Sequence, residues 1–433
     1  MTRQMALTTF ILPAGYHRDS WRRETSRAEE LASLPLMADL AKKAEQAKLH
    51  AVFLGDCVHA NSTMRGDIMM NGFYEPISTL SALAAVTQQI GLIGTMSTSF
   101  TEPYNVARQM AGVDHMSGGR AGWNIVTSRD GFANFGGSGV PDPEERYDRA
   151  EEHVTVVKKL WDSWRDGIIH VDRKSGRWLD TDGLNPIDHE GKRFSVQGPI
   201  NMPRPPQGHP VLVQAGSSTT GMAFGSKHAD IIYTAQPQLD GARNFYRQVK
   251  EQVAGHGRDP EAVTVLPGIV PVIGRTEKEA QEIAQELGNF VDLDAGRVQL
   301  AGDLKLEIDD IGFDEKIPAD RFSEDPKLGS RYHIFRRKAV EQGMTLGELI
   351  VDRARSTGHV WFVGTAKQAA DVMIEWFDSH ACDGFNLNAP HVPEGMEAIC
   401  DLLVPELQER GYFHADYRGN TLRENLGLNR PQA

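Results

Sequence analysis

What most constrains this chain is an alternation. Eight short apolar runs, at 6–12, 51–55, 91–99, 121–126, 210–216, 230–235, 263–273 and 384–387, are each followed by a longer stretch with helical spacing. Strands that alternate with helices pair in parallel, because each crossover returns the chain to the same end of the sheet. Runs that are apolar throughout predict strands buried on both faces. Eight such units predict an α/β fold, a closed (β/α)8 TIM barrel with its helices outside. An open doubly wound sheet is the other arrangement; it normally carries a glycine-rich dinucleotide turn after its first strand, and none is present.

Helices are expected over 36–48, where Leu36, Leu40, Ala44 and Ala47 share a face, and over 75–89, with Pro76 in the first turn. Another starts at Pro103, and 144–164 carries Val154, Val157, Leu160 and Trp161 on one stripe. Further helices fall at 218–229, 239–254, 277–289, 366–382 and 396–410. Two stretches interrupt the alternation. The polar, Gly- and Pro-rich 167–210 is expected to be an excursion with small strands of its own. Residues 291–358 are expected to be irregular, with mixed charge, and form a candidate lid. The expected organisation is one barrel domain over 1–433 with these two insertions, and a surface arm beyond Tyr417.

Composition narrows the function classes. At 433 residues the chain exceeds the usual single-domain size, which α/β barrels do routinely. A formal net charge of -13 argues against nucleic acid or an anionic membrane as partner. Cys57, Cys382 and Cys400 have no metal spacing and cannot all pair within one chain, which points to a reducing, cytoplasmic compartment. No apolar run approaches a membrane span, and no signal-peptide pattern is present.

In a closed parallel barrel the active site lies where the strands end. The residues at those ends are polar and mostly small: Asp56, Thr95 to Ser99, Thr127, Ser128, Gly216 to Ser218, and Asn386 to Asn388. Asn124 is a polar residue inside a buried strand and needs a partner, backbone or ligand. The Ser217-Ser218-Thr219-Thr220 cluster opens a helix, where it serves either as a plain N-cap or as a phosphate cradle. There is no Gly-x-Ser-x-Gly elbow, no His-Glu-x-x-His, no phosphate loop ending in Gly-Lys-Ser/Thr, and no His/Asp/Glu cluster suggesting a metal. A site without an evident nucleophile or metal suggests a cofactor that brings its own chemistry.

The stretch Asp114-His115-Met116-Ser117-Gly118-Gly119-Arg120-Ala121-Gly122-Trp123-Asn124-Ile125-Val126-Thr127-Ser128 resembles a signature of the luciferase-like flavin monooxygenases. The similar subgroup contains nitrilotriacetate, EDTA, dibenzothiophene-sulfone and long-chain alkane monooxygenases and pristinamycin IIA synthase component A. Phe53-Leu54-Gly55-Asp56, Glu102 to Arg108, Glu145 to Glu152, Gln214 to Ser218, Cys382 to Leu387 and Val404 to Gly411 match in the same order.

The resemblance implies a barrel binding reduced FMN supplied by a separate NAD(P)H:flavin reductase, with O2 forming a flavin hydroperoxide that oxygenates a small substrate. By position it implies FMN contacts at Asp56, Thr95 or Ser97, Ser128, Tyr147, Ser217 and Ser218, with Tyr147 and Ser218 at the phosphate. Many relatives carry His four residues before the tyrosine, where this chain has Pro143. In the loop Tyr16 to Trp21, His17 is the expected hydrogen-bond donor to peroxide or substrate, and Trp21 packs beside them. Arg18, Arg22, Arg23 and Arg129 suit a polyanionic substrate, whereas an organosulfur, aromatic or alkane substrate needs an apolar mouth. A homodimer or homotetramer is also implied. A deazaflavin-dependent oxidoreductase of the same barrel superfamily and a non-catalytic flavin-binding protein are the alternatives.

Overall fold

In the computed structural model, residues 3–60, 74–137, 139–325 and 328–432 are described. Eight parallel strands close on themselves: β1 (Ala6–Phe10), β2 (Ala51–Leu54), β3 (Gly91–Ser97), β4 (Ala121–Val126), β5 (Val211–Ala215), β6 (Ile231–Thr234), β7 (Thr264–Gly274) and β8 (Gly384–Asn388). Closure runs through Ile231 beside Thr264, Gly268 beside Asn386, and Thr8 beside Asn386. All eight are the expected runs, and the barrel is the expected α/β fold.

Alternate side chains point to two cores, as a pleated strand requires. Ala51, Phe53, Ile93, Val213, Tyr233 and Leu266 fill the barrel interior. Val52, Leu92, Trp123, Ile125 and Leu212 face outward and pack under α1 (Leu34–Gln46), α2 (Pro76–Val86), α3 (Pro103–Ser117) and α4 (Pro143–Trp161). The α3–β4 turn is made by Gly118 and Gly119, both at positive φ (71° and 94°), with Gly119 N–H donating to Asp114 O at 2.8 Å. A side chain at Gly118 would be strained there. The chain continues through α5 (Thr219–His228), α6 (Leu239–Gly255) and α7 (Glu277–Asn289).

Three expectations are corrected. First, 291–358 is not irregular: α8 (Leu293–Leu304), α9 (Ser330–Val340) and α10 (Leu346–Ser356) pack around their own core of Leu300, Leu304, Ile308, Phe335, Leu346 and Leu349. Second, an extra strand, Val360–Thr365, pairs with the C-terminal half of β7, which outruns the barrel. It leads into α11 (Ala366–Asp378). Third, the segment beyond Tyr417 is not a surface arm. Leu422 and Leu428 are buried in the barrel-interior core, and Leu422 N–H donates to Gly119 O at 2.9 Å, so the tail plugs the N-terminal end. The 167–210 excursion carries two small antiparallel ribbons, Ile169–Asp172 with Arg177–Leu179 and His189–Glu190 with Ser195–Val196. Among the described residues no helix is long and apolar enough to cross a membrane.

Candidate active site

The polar strand tips meet at the C-terminal end of the barrel. Thr95 of β3 faces inward, where its hydroxyl donates to Leu54 O of β2 at 3.0 Å and accepts from Asn124 Nδ2 of β4 at 2.8 Å. Asn124 therefore spends its amide on a neighbouring strand, while its Oδ1 is buried without a partner. Two residues on, Ser97 Oγ lies 2.7 Å from Ser128 Oγ. The β4 end is fastened by α4: Arg146 donates to Thr127 O at 2.8 Å, and Arg149 donates to Thr98 O at 2.9 Å.

On the next strand, Ser217 Oγ sits 2.8 Å from Thr234 Oγ1 of β6, and Ser218 Oγ accepts from Gly221 N–H at 3.2 Å, capping α5. Tyr147 of α4 reaches the same place. A Cβ on Gly221 would fall 2.8 Å from the Tyr147 hydroxyl and 3.0 Å from Ser218 Oγ. Two hydroxyls thus share a small space at a helix N-terminus, where backbone N–H groups and the helix dipole favour an anion. Asp56 ends β2 beside these tips, exposed, and partial burial of its carboxyl together with Glu75 raises its pKa. Asp56, Thr95, Ser97, Ser128, Ser217 and Ser218 therefore form one arc over the adjacent strands β2 to β5.

Deeper in the barrel, Tyr233 donates to Thr8 at 3.1 Å, Thr8 to Asn386 Oδ1 at 2.8 Å, and Asn386 to Asn388 Oδ1 at 2.9 Å. Asn388 Nδ2 is buried with no acceptor. Buried polar atoms are almost always satisfied, so orphans on Asn124 and Asn388 mark a place for another group.

The β1–α1 loop holds His17 and Trp21. His17 is fully buried, its N–H donating to Pro390 O at 3.0 Å and its Nδ1 accepting from Asp19 N–H at 3.3 Å. That bond assigns the ring proton to Nε2, which has no partner. Burial, with Arg355 and His391 nearby, pushes its pKa down to about 3, so the ring is neutral near pH 7. Trp21 lines a cleft against α8 and α10, and His17 is not among its lining residues.

Sequence reasoning missed Thr234, His359, Arg331 and Arg353. His359 follows α10, its ring 5.6 Å from that of Tyr16. It fills the hollow over β7 left by Gly268, where a Cβ would fall 2.3 Å from His359 Nδ1. A glycine inside an apolar run was the available signal, since it marks close approach by another group.

A closed parallel barrel with a hydroxyl-lined helix N-terminus and orphaned buried amides at its rim defines a cofactor-using barrel enzyme. The chain belongs to the luciferase-like monooxygenase family, whose model matches residues 10–381. It is 41% identical over 432 residues to N-acetyl-S-(2-succino)cysteine monooxygenase of Bacillus subtilis (strain 168), covering 99% of this chain and 98% of that one. It is 38% identical over 444 residues to nitrilotriacetate monooxygenase component A of Aminobacter aminovorans, again covering 99% and 98%. The structure of EDTA monooxygenase from Chelativorans sp. BNC1 superposes with a TM-score of 0.84 at 31% identity, covering 99% of both chains. The protein is thus an enzyme of the monooxygenase class, and its family implies a flavin cofactor.

Proposed function

We propose that this chain is the oxygenase component of a two-component system, using reduced FMN from a separate NAD(P)H:flavin reductase, and O2, to oxygenate a small organic substrate. The observation that carries this reading is the meeting of Tyr147 and Ser218 at the N-terminus of α5, one strand from the Ser97–Ser128 pair. A phosphate fits the first place, and a flat polar ring fits the row of hydroxyls and the Asn124 Oδ1 orphan beside it. Tyr147, Ser218 and Ser217 would hold the phosphate; Asp56, Thr95, Ser97 and Ser128 would border the ring. Pro143 holds the first turn of α4, so the phosphate contact made by a histidine in many relatives falls here to Tyr147 and the α5 N–H groups.

Bound reduced flavin supplies the activation and transfer of oxygen. The chain's own residues bind, orient and exclude water. His17, kept neutral with its proton on Nε2, is a donor that presents no acid to a reactive centre. Trp21 supplies an indole face to the substrate cleft. Naming of the Aminobacter relative as a component A supports a reductase partner.

The test is oxygen uptake and product analysis with purified enzyme, a flavin reductase, FMN and NADH. Product is expected only when all four and O2 are present. Substrate conversion under anaerobic conditions would favour hydride transfer and overturn the reading.

A further inference from the structure

Two side chains whose donors have no acceptor among the described residues, Arg18 and Trp21, meet in one cleft beside the tip of β1. The cleft has a volume of about 370 Å³ and lies between the β1–α1 loop and the helical excursion. Arg18, Trp21 and Arg22 line one wall; Gln299 and Arg353 line the other. The indole N–H of Trp21 is buried with no partner. Arg18 makes no hydrogen bond or ion pair with any described residue; its charged neighbours are Arg353, Arg331, Asp303 and Tyr16.

Burial, with the like charges of Arg353 and Arg331 nearby, pushes the Arg18 pKa down to about 10 against a smaller opposing influence of Asp303 and Tyr16. Arg331, exposed on α9, is a charged neighbour of Arg18, Arg353, Tyr16 and His359.

The local carboxylates are already engaged. Asp303 takes Arg353 Nε at 2.6 Å, while Gln299 Oε1 accepts a second bond from Arg353. Asp292 caps α8 through Ala295 N–H at 2.9 Å, and both Asp292 and Asp19 have partners. A guanidinium is costly to bury unpaired, and its planar fork matches a carboxylate.

We infer that this cleft receives a carboxylate of the substrate, anchored by Arg18 and Trp21 Nε1, so that the substrate is a small organic carboxylate. The inference rests on the oxygenase reading above and narrows it; neutral sulfones and alkanes are the excluded class. Arg18 and Trp21 are thereby specificity-determining residues.

The test uses the full-length enzyme with reductase, FMN and NADH, and three substrates: N-acetyl-S-(2-succino)cysteine, nitrilotriacetate and the neutral dibenzothiophene sulfone. At least one polycarboxylate is expected to be oxygenated. Arg18→Met should then raise its KM by about tenfold or more with kcat little changed, the size of a lost bond to a charged group. Arg18→Lys should recover part of the loss, and Trp21→Phe should give a smaller increase. Oxygenation of the sulfone alone, or an unchanged KM in Arg18→Met, would overturn the inference while leaving the oxygenase reading standing. If nothing is oxygenated, calorimetric binding of the two polycarboxylates to flavin-free enzyme decides. Binding by wild type and not by Arg18→Met supports the cleft; no binding by wild type overturns it.

Discussion

At the N-terminal end of the barrel, Leu422 and Leu428 close the strand mouths and the buried charges are matched. Arg423 meets Asp230 at 2.8 Å, Asp114 takes Gln207 Nε2 at 2.6 Å, and Arg120 donates to Ile90 O at 2.6 Å and to Thr87 O at 3.0 Å. At the C-terminal end, hydroxyls face one another in pairs, Asn124 and Asn388 leave buried amide atoms unpaired, and Arg18 makes no ion pair with any described residue. The same strands thus end in a sealed, self-sufficient floor and an incomplete rim. The lower end holds the fold, and the upper end keeps its polar groups for a ligand.

Acid gives the largest effect and strikes both ends. Burial lowers the pKa of His50 at the floor to about 3, of His17 and His153 to about 3, and of His359 to about 4. Each stays neutral when folded but takes up a proton near pH 6.5 when unfolded, so stability falls as pH drops below 6.5 and goes on falling to about 3–4. By pH 5 each histidine is expected to remove about 2 kcal/mol. Urea unfolding at pH 7, 6 and 5 checks this; a flat profile contradicts it.

Arg423→Met comes next, because it strips the nearer of two arginines from the buried carboxylate of Asp230, leaving Arg258 at 3.9 Å. A loss of about 3 kcal/mol is expected in urea unfolding, the low end for breaking a buried pair because Arg258 remains. Flavin affinity of the molecules that remain folded should be unchanged, and a fall in it would break the division between the two ends.

Smallest is Ser217→Ala at the rim. Loss of its bond to Thr234 is expected to cost about 1 kcal/mol or less in stability, yet to weaken FMN binding in equilibrium titrations. An unchanged FMN affinity would remove Ser217 from the site.

The strands were legible because a run such as Ile231-Ile232-Tyr233 admits few fates when helices flank it on both sides. The polar rim was legible for a related reason: a parallel barrel brings strand ends together however far apart they lie in sequence. Asn124 stood out as a polar residue in an apolar run, and its crossing to Thr95 explains it. The tail did not, because Leu422 opens and Leu428 follows a four-residue helix too short to show a period, and the burial of Leu422 depends on contacts near Gly119. Nor did the helical excursion, since α8 buries only Ala295, Leu300 and Leu304 among charged neighbours. The guanidinium cluster was half visible. Arg18 was noticed, but Arg331 and Arg353 lie more than 300 positions away, and only the folded excursion brings them back.

The central claim is that a cofactor phosphate sits where Tyr147 and Ser218 converge on α5. The direct measurement is anaerobic binding of reduced FMN and reduced riboflavin, which differ by that phosphate, to wild type and Tyr147→Phe. The account predicts about tenfold or more weakening for FMN in the variant, with riboflavin binding essentially unchanged. Equal weakening of both flavins, or none for FMN, would contradict it.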